Sequence, residues 1–155
     1  MLKINRTNSE NPDFRSLIKQ LDADLNSRYG IIQEAYDKHN KIERIDTVVI
    51  AYYYNKPVGC ACFKEFSANT VEVKRMFVNE GLRGKKIGTQ LLSELEAWAT
   101  ELNYLSAVLE TGKQQPEAIA LYRKSGYDII ENYGQYKGMK NSICMSKQLK
   151  SSYKQ

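Results

Sequence analysis

Around Arg83-Gly84-Lys85-Lys86-Ile87-Gly88 the hydrophobic period of the chain changes from that of a strand to that of a helix. Before this point Val71-Glu72-Val73-Lys74-Arg75-Met76-Phe77-Val78 alternates as a half-buried strand does. After it, Ile87, Leu91, Leu92, Leu95, Trp98 and Leu102 fall on one helical stripe. A strand running into a helix through a small, basic turn constrains the fold to one in which sheet and helix pack as layers. The turn also has a chemistry of its own. The first N–H groups of a helix have no partner inside it, and the helix dipole is positive there. Gly84 and Gly88 carry no Cβ to keep a ligand from those amides, and Arg83, Lys85 and Lys86 add positive charge. Such a turn suits a phosphate-rich ligand.

The common nucleotide fingerprints are absent: there is no G-x-x-x-x-G-K-[ST] run and no G-x-G-x-x-G in this turn. The turn instead resembles the acetyl-coenzyme A loop of the GNAT N-acetyltransferase superfamily, [RQ]-x-x-G-x-[GA]. Arg83 opens that pattern, Gly88 closes it, and Lys86 stands where the family usually has its middle glycine. Lys74-Arg75-Met76-Phe77-Val78 is similar to the family's fourth strand. Ala118 to Tyr127 is similar to its A-x-x-x-Y-x-x-x-G-[FY] segment, with Tyr122, Gly126 and Tyr127 at the fixed positions.

The remaining segments read in the same order. Leu2 to Arg6 suits a strand, and Asn11 or Asp13 can cap a helix through Phe14, Leu17, Ile18, Leu21 and Leu25. Gly30 interrupts, and Ile31 to His39 suits a second helix. Thr47 to Tyr54 is β-branched and aromatic, and Asn55-Lys56-Pro57 turns it into Val58 to Phe66. Ala68-Asn69 leads into the strand ending at Val78, and Gly88 to Leu102 is a helix. Tyr104 to Glu110 is a strand, Pro116 opens a helix that stops at Gly126, and Tyr127 to Glu131 and Ser142 to Ser146 are a closing pair. The expected class is α/β with a mixed sheet (α+β type), β-α-α-β-β-β-α-β-α-β-β. The resemblance implies a central, mostly antiparallel sheet that splays between its fourth and fifth strands. A single domain over residues 1–149 with a loose tail at 150–155 is expected.

Composition narrows the function. A formal net charge of +5 is modest, and no basic stripe interleaved with stacking aromatics appears, so a nucleic-acid partner is not expected. Three cysteines, Cys60, Cys62 and Cys144, and a single histidine, His39, offer no metal-ligand spacing. Cys60 and Cys62 share one strand face, a poor geometry for a mutual bridge. The N-terminus lacks an apolar signal core, and no run is long enough to span a membrane. A cytoplasmic protein without a membrane partner is expected.

The resemblance implies an acetyl-CoA-dependent N-acetyltransferase, with acetyl-CoA as cosubstrate, no metal, and direct attack by a primary amine of a small molecule or peptide. It assigns the cofactor to the backbone of Met76, Phe77 and Val78 and to the turn Arg83, Gly84, Lys85, Lys86, Ile87, Gly88 and Thr89. Gln115 stands where many members have asparagine; it can touch the pantetheine arm or cap the helix. Tyr122 matches the tyrosine beside the thioester sulfur and can donate to the departing thiolate. Glu72 is the expected base, with Glu110 and a water chain as competitors. Tyr29, Tyr36, His39, Tyr133 and Tyr136, near Asp22, Asp24, Glu34 and Asp37, suit a cationic acceptor or a homodimer contact. A coenzyme A-binding sensor without turnover is the alternative from another class.

Overall fold

The computed structural model describes residues 1–29, 44–82 and 86–149. Seven strands form one sheet: β1 (Leu2–Thr7), β2 (Val48–Tyr53), β3 (Lys56–Ser67), β4 (Thr70–Val78), β5 (Ser106–Gly112), β6 (Asp128–Ile130) and β7 (Ser142–Gln148). Among the described residues there are three α-helices, α1 (Pro12–Tyr29), α2 (Ile87–Glu101) and α3 (Pro116–Lys124). The helix expected over Ile31 to His39 and the tail at 150–155 lie outside the described residues. Strand order is β1-β2-β3-β4-β5-β7-β6. Every neighbouring pair is antiparallel except β4 and β5, which run parallel. That pair is joined through α2, the crossover a parallel connection requires. The mixed, mostly antiparallel sheet is the class the sequence implies.

Asn11 caps α1: its Oδ1 accepts from the Asp13 N–H at 2.8 Å. Phe14, Leu17, Ile18 and Leu21 then bury against Val48, Ile50, Cys60, Cys62 and Phe77 on one sheet face. On the other face Ile87, Leu91, Leu92, Leu95 and Ala99 of α2 pack with Val49, Ala61, Phe63, Val71, Val73 and Leu109. Side chains of this size stabilise the fold by about 1.5–3 kcal/mol each when fully buried. Leu102 falls off the expected stripe. The helix ends at Glu101, so Leu102 is its C-cap and is 49% exposed. The first hairpin also differs in detail. Its turn is Tyr54-Asn55, both at positive φ, while Lys56 and Pro57 already belong to β3. Pro57 is tolerated because it sits at a register shift opposite Tyr52.

Two irregularities shape the centre of the sheet. Cys60 pairs with Phe77 and Cys62 with Lys74, so β4 carries one residue more than β3 across that interval. This is a β-bulge. Arg75, at φ 60, lies within it. The extra residue reverses the alternation. Val71 and Val73 face α2, but Phe77 faces α1, and Met76 and Val78 turn toward the α2 side. Cys60 and Cys62 each donate their thiol to a bulge carbonyl, of Arg75 and Lys74, at 3.4 Å. The Arg75 guanidinium lies 3.4 Å from Asp22 and ties α1 to the bulge. The second irregularity is a splay. β4 and β5 pair only over Thr70–Val73 and Ser106–Leu109, and beyond these residues they part.

Candidate active site

A cleft opens where β4 and β5 part. Its inner part, a cavity of about 110 Å³, is lined by Glu72, Lys74, Arg75, Glu110, Tyr122 and Tyr136 among others. Its outer part, about 470 Å³, is lined by Phe77, Val78, Lys86, Ile87, Gly88 and Thr89 among others. Leu21, Met76, Gln115 and Ala118 line both, so the two parts form one cleft. Ligand pockets for drug-sized molecules occupy about 300–1,000 Å³, so the outer part has room for a long ligand and the inner part for a small group. The sequence-expected residues Met76, Phe77, Val78, Lys86, Ile87, Gly88, Thr89 and Gln115 therefore meet in one place. Glu72 and Tyr122 meet at its inner end. Arg83, Gly84 and Lys85, like Tyr36, His39, Glu34 and Asp37, lie outside the described residues.

The outer part ends on the first turn of α2. Lys86 is the N-cap, in the left-handed region at φ 64 and ψ 20, and its side chain makes no cap bond. A glycine adopts this conformation without penalty, whereas a residue with a Cβ is disfavoured by about 1–2 kcal/mol. The one departure from the family pattern thus falls where the backbone itself favours glycine. Gly88 has a packing reason as well as the expected one. A Cβ there would approach Leu121 of α3 to 3.0 Å. Gln115 leaves its side chain out of helix capping, and its backbone carbonyl instead accepts from the N–H groups of Ala118 and Ile119. Of its two expected uses, the cap is removed and the cleft contact remains.

At the inner end, charge is arranged on the face that α1 also covers. Glu72 is in register with Val108, and Glu110 lies two residues farther along β5, so both carboxylates project from the same face. Tyr133 donates its hydroxyl to Glu72 at 2.8 Å, and Ser142 donates to Glu110 at 2.7 Å. Burial pushes the Glu110 carboxyl up to about 7, with the Glu72 charge in the same direction and the Ser142 hydrogen bond and Lys74 opposing it. Burial likewise pushes the Lys74 ammonium below its ordinary value, with Glu72 the main opposing charge. A carboxyl near 7 exchanges protons readily at neutral pH.

Tyr122 enters from the opposite side of the sheet. It belongs to the α2-side core and its ring meets Tyr127 edge-on at 5.9 Å. Among the described residues its hydroxyl has no hydrogen-bond partner, yet no fully buried side-chain N or O atom lacks one. The hydroxyl is therefore open to the cleft. Burial, and after it the Glu110 charge, push the phenol well above its ordinary value of about 10. Tyr122 is a hydrogen-bond donor at any physiological pH. Sequence reasoning missed Lys74, Arg75 and Leu25 at the inner end and Lys124 at the outer end. Lys124 carries a signal in hindsight, being a cation in the last turn of the same helix that presents Tyr122. Arg75 carries none, because its placement depends on the bulge.

Residues 11–127 match the acetyltransferase (GNAT) family. The chain belongs to the GNAT acetyltransferase family. An IAA acetyltransferase of Azospirillum brasilense is 39% identical over 93 residues, which are 59% of this chain and 61% of that protein. The chain thus spans less than two thirds of the length of the curated relatives it matches. A solved Klebsiella pneumoniae protein assigned as an acyl-CoA N-acyltransferase aligns over 97% of this chain and 99% of its own, with TM-score 0.81 and 26% identity. A GNAT acetyltransferase from Elizabethkingia anophelis, crystallised with acetyl-CoA, has the same fold at TM-score 0.67 and 20% identity, covering 96% of this chain and 98% of its own. Within this GNAT chain, the bulged β4, the splay and the start of α2 are the parts that border the cleft.

Proposed function

We propose that this GNAT protein is an acetyl-CoA-dependent N-acetyltransferase that acts on a primary amine by direct attack. The observation that carries the reading is the two-sided cleft. Tyr122 opens into it from the α3 side, and Glu72 and Glu110 border it from the other. Acetyl-CoA fits the outer part, where the start of α2 and Lys86 suit a pyrophosphate and the Met76, Phe77 and Val78 backbone suits an extended pantetheine arm. Arg83, Gly84 and Lys85 complete the same turn in the sequence, and Thr89 and Gln115 border the same space.

An alkylammonium with a reference pKa of about 10.4 must lose a proton before it can attack. The carboxylate pair Glu72 and Glu110 takes that proton, directly or through a water. The new C–N bond forms at the thioester carbonyl as the C–S bond breaks, and the proton that the new amide nitrogen sheds passes to the departing thiolate, which leaves as free thiol. Backbone N–H groups of the β4 bulge region stabilise the carbonyl oxygen as it gains charge. Tyr122 hands a hydrogen bond to the departing thiolate. Since its phenol holds its proton more tightly than a thiol of reference pKa about 8.5, its contribution is a donated hydrogen bond that strengthens as charge builds on sulfur. The reaction belongs to one domain over residues 1–149. Three free, buried cysteines agree with a reducing, cytoplasmic setting.

The test is release of free thiol from acetyl-CoA across a panel of amines. The panel holds a diamine, an arylethylamine, an aminoglycoside, an amino-acid amide and a peptide with a free N-terminus. We expect release with at least one of them above the rate of hydrolysis. Coenzyme A binding by calorimetry with no thiol release for any amine would turn the reading into that of a sensor domain.

A further inference from the structure

Residues 131–141, between β6 and β7, fold back on themselves and onto the inner end of the cleft. Asn132 closes the segment: its side-chain amide donates to the carbonyls of Tyr136 and Met139, each at 3.1 Å. A 3-10 turn, Gly134–Tyr136, lies inside that loop. Tyr136 is 1% exposed and forms part of the cleft wall. A directed polar contact joins the segment to β4, the hydroxyl of Tyr133 donating to Glu72 at 2.8 Å. The Tyr133 ring is held edge-on between Phe66 at 5.0 Å and Tyr136 at 5.7 Å. Two rings therefore aim one phenol at one carboxylate.

We infer that Tyr133 is a positioning residue that sets acceptor specificity: its hydrogen bond to Glu72 latches the β6–β7 segment onto β4. This rests on the acetyltransferase reading of the cleft. The latch does two things at once. It fixes Tyr136 as a wall of the acceptor end, and it holds Glu72 in one orientation. Burial, and then the Glu72 charge, keep the Tyr133 phenol protonated far above neutrality, so the donor is always present. With Glu72 so engaged, Glu110 is left as the carboxyl that exchanges a proton with the amine. The groups facing Glu110 are Glu72 and Lys74 on β4, Ser142 and Cys144 on β7, Tyr122 on α3 and Tyr136 of the segment itself.

The assignment is read from kinetics of wild type and Tyr133→Phe with the panel amine that releases most thiol. Losing one hydrogen bond to a charged group implies a rise of about tenfold in acceptor KM. The kcat should stay within about threefold and the Kd for coenzyme A within about twofold, because the outer part of the cleft is untouched. In a Glu72→Leu background the same change should have no further effect, since the partner is already gone. Amide hydrogen exchange gives a second readout. Residues 131–139 should exchange faster in Tyr133→Phe but as in wild type in Glu72→Gln, whose side-chain oxygen still accepts the phenol. An unchanged acceptor KM, an equal rise in the Kd for coenzyme A, independent effects in the Glu72→Leu background, or unaltered exchange would each overturn the latch. A wild type that releases no thiol with any amine removes the acetyltransferase reading and this assignment together. An active wild type with an unaffected Tyr133→Phe removes the assignment alone.

Discussion

At the scale of single residues, the inner end of the cleft has Tyr122 on one side of the sheet and Glu72 and Glu110 on the other. Tyr122→Phe keeps the ring that packs on Tyr127 and removes only the hydroxyl that opens into the cleft. Turnover should fall roughly a hundredfold, within the range usual for one proton donor, while coenzyme A affinity stays within about twofold. The loss should shrink with an acyl donor whose thiol leaves more easily. Stopped-flow and steady-state thiol release with two donors of different leaving ability check both statements, and an equal loss for the two would reduce Tyr122 to a packing residue. Glu110 makes a pH prediction. Its carboxyl is raised from an ordinary 4.5 to about 7, so it must be ionised to accept a proton. The kcat/KM should therefore rise with pH through about 7, and Glu110→Gln should flatten that limb. Stability runs the other way. A carboxyl whose folded value is raised contributes stability below its unfolded value and loses it as pH climbs from about 4.5 to about 7. Denaturant unfolding at pH 4.5 and pH 8 should show wild type losing more stability over that window than Glu110→Gln.

Elements decide how those residues come to face one another. The bulge in β4 re-aims Met76 and Val78, and the splay from β5 leaves the space they border. Gly59, opposite Val78 on β3, shows how tight this region is. A Cβ there would lie 2.8 Å from the carbonyl oxygen of Phe77, a backbone atom with little room to move. At the start of α2, Lys86 occupies a left-handed position that favours glycine. Lys86→Gly relieves that conformation but frees the unfolded chain, so stability should rise by no more than about 1 kcal/mol. If the ammonium reaches a phosphate, affinity for coenzyme A should fall and depend less on salt. Calorimetry at two ionic strengths, with thermal unfolding of the free protein, measures both. A variant that binds as tightly as wild type with the same salt dependence would leave the backbone alone holding the ligand.

Taken whole, the molecule builds one cleft from both faces of one sheet. α1 and α3 border both of its parts, α2 borders the outer part, and Tyr136 of the β6–β7 segment walls the inner end. A ligand that spans these layers binds the folded chain and not the unfolded one. Coenzyme A at about 100 times its Kd should thus raise stability by about 2.7 kcal/mol. For a chain of this length that is a rise of several degrees in Tm, readable by thermal unfolding with and without coenzyme A. Desulfo-coenzyme A, which lacks only the sulfur, should serve nearly as well; no shift with either would argue against the cleft as the binding site.

Much of this was legible in the residues. Alternation in Val71 to Val78, the helical stripe from Ile87, and the Tyr122-to-Gly126 spacing are local patterns, each set by a backbone period that a sequence expresses directly. They determined the sheet class and the order of the described elements, and they brought Met76, Phe77, Val78, Lys86, Ile87, Gly88, Thr89, Gln115 and Tyr122 to one cleft. Glu72 borders it too, but its partner does not follow from spacing, since Tyr133 lies 61 residues away and meets it only through the fold. The same holds for Arg75. Its side chain reaches the cleft because one extra residue shifts the register of β4 against β3, and register is a property of two strands together. The raised carboxyl of Glu110 is likewise tertiary. Burial is its largest cause, and burial exists only once β5, β7 and the segment carrying Tyr136 have closed around it.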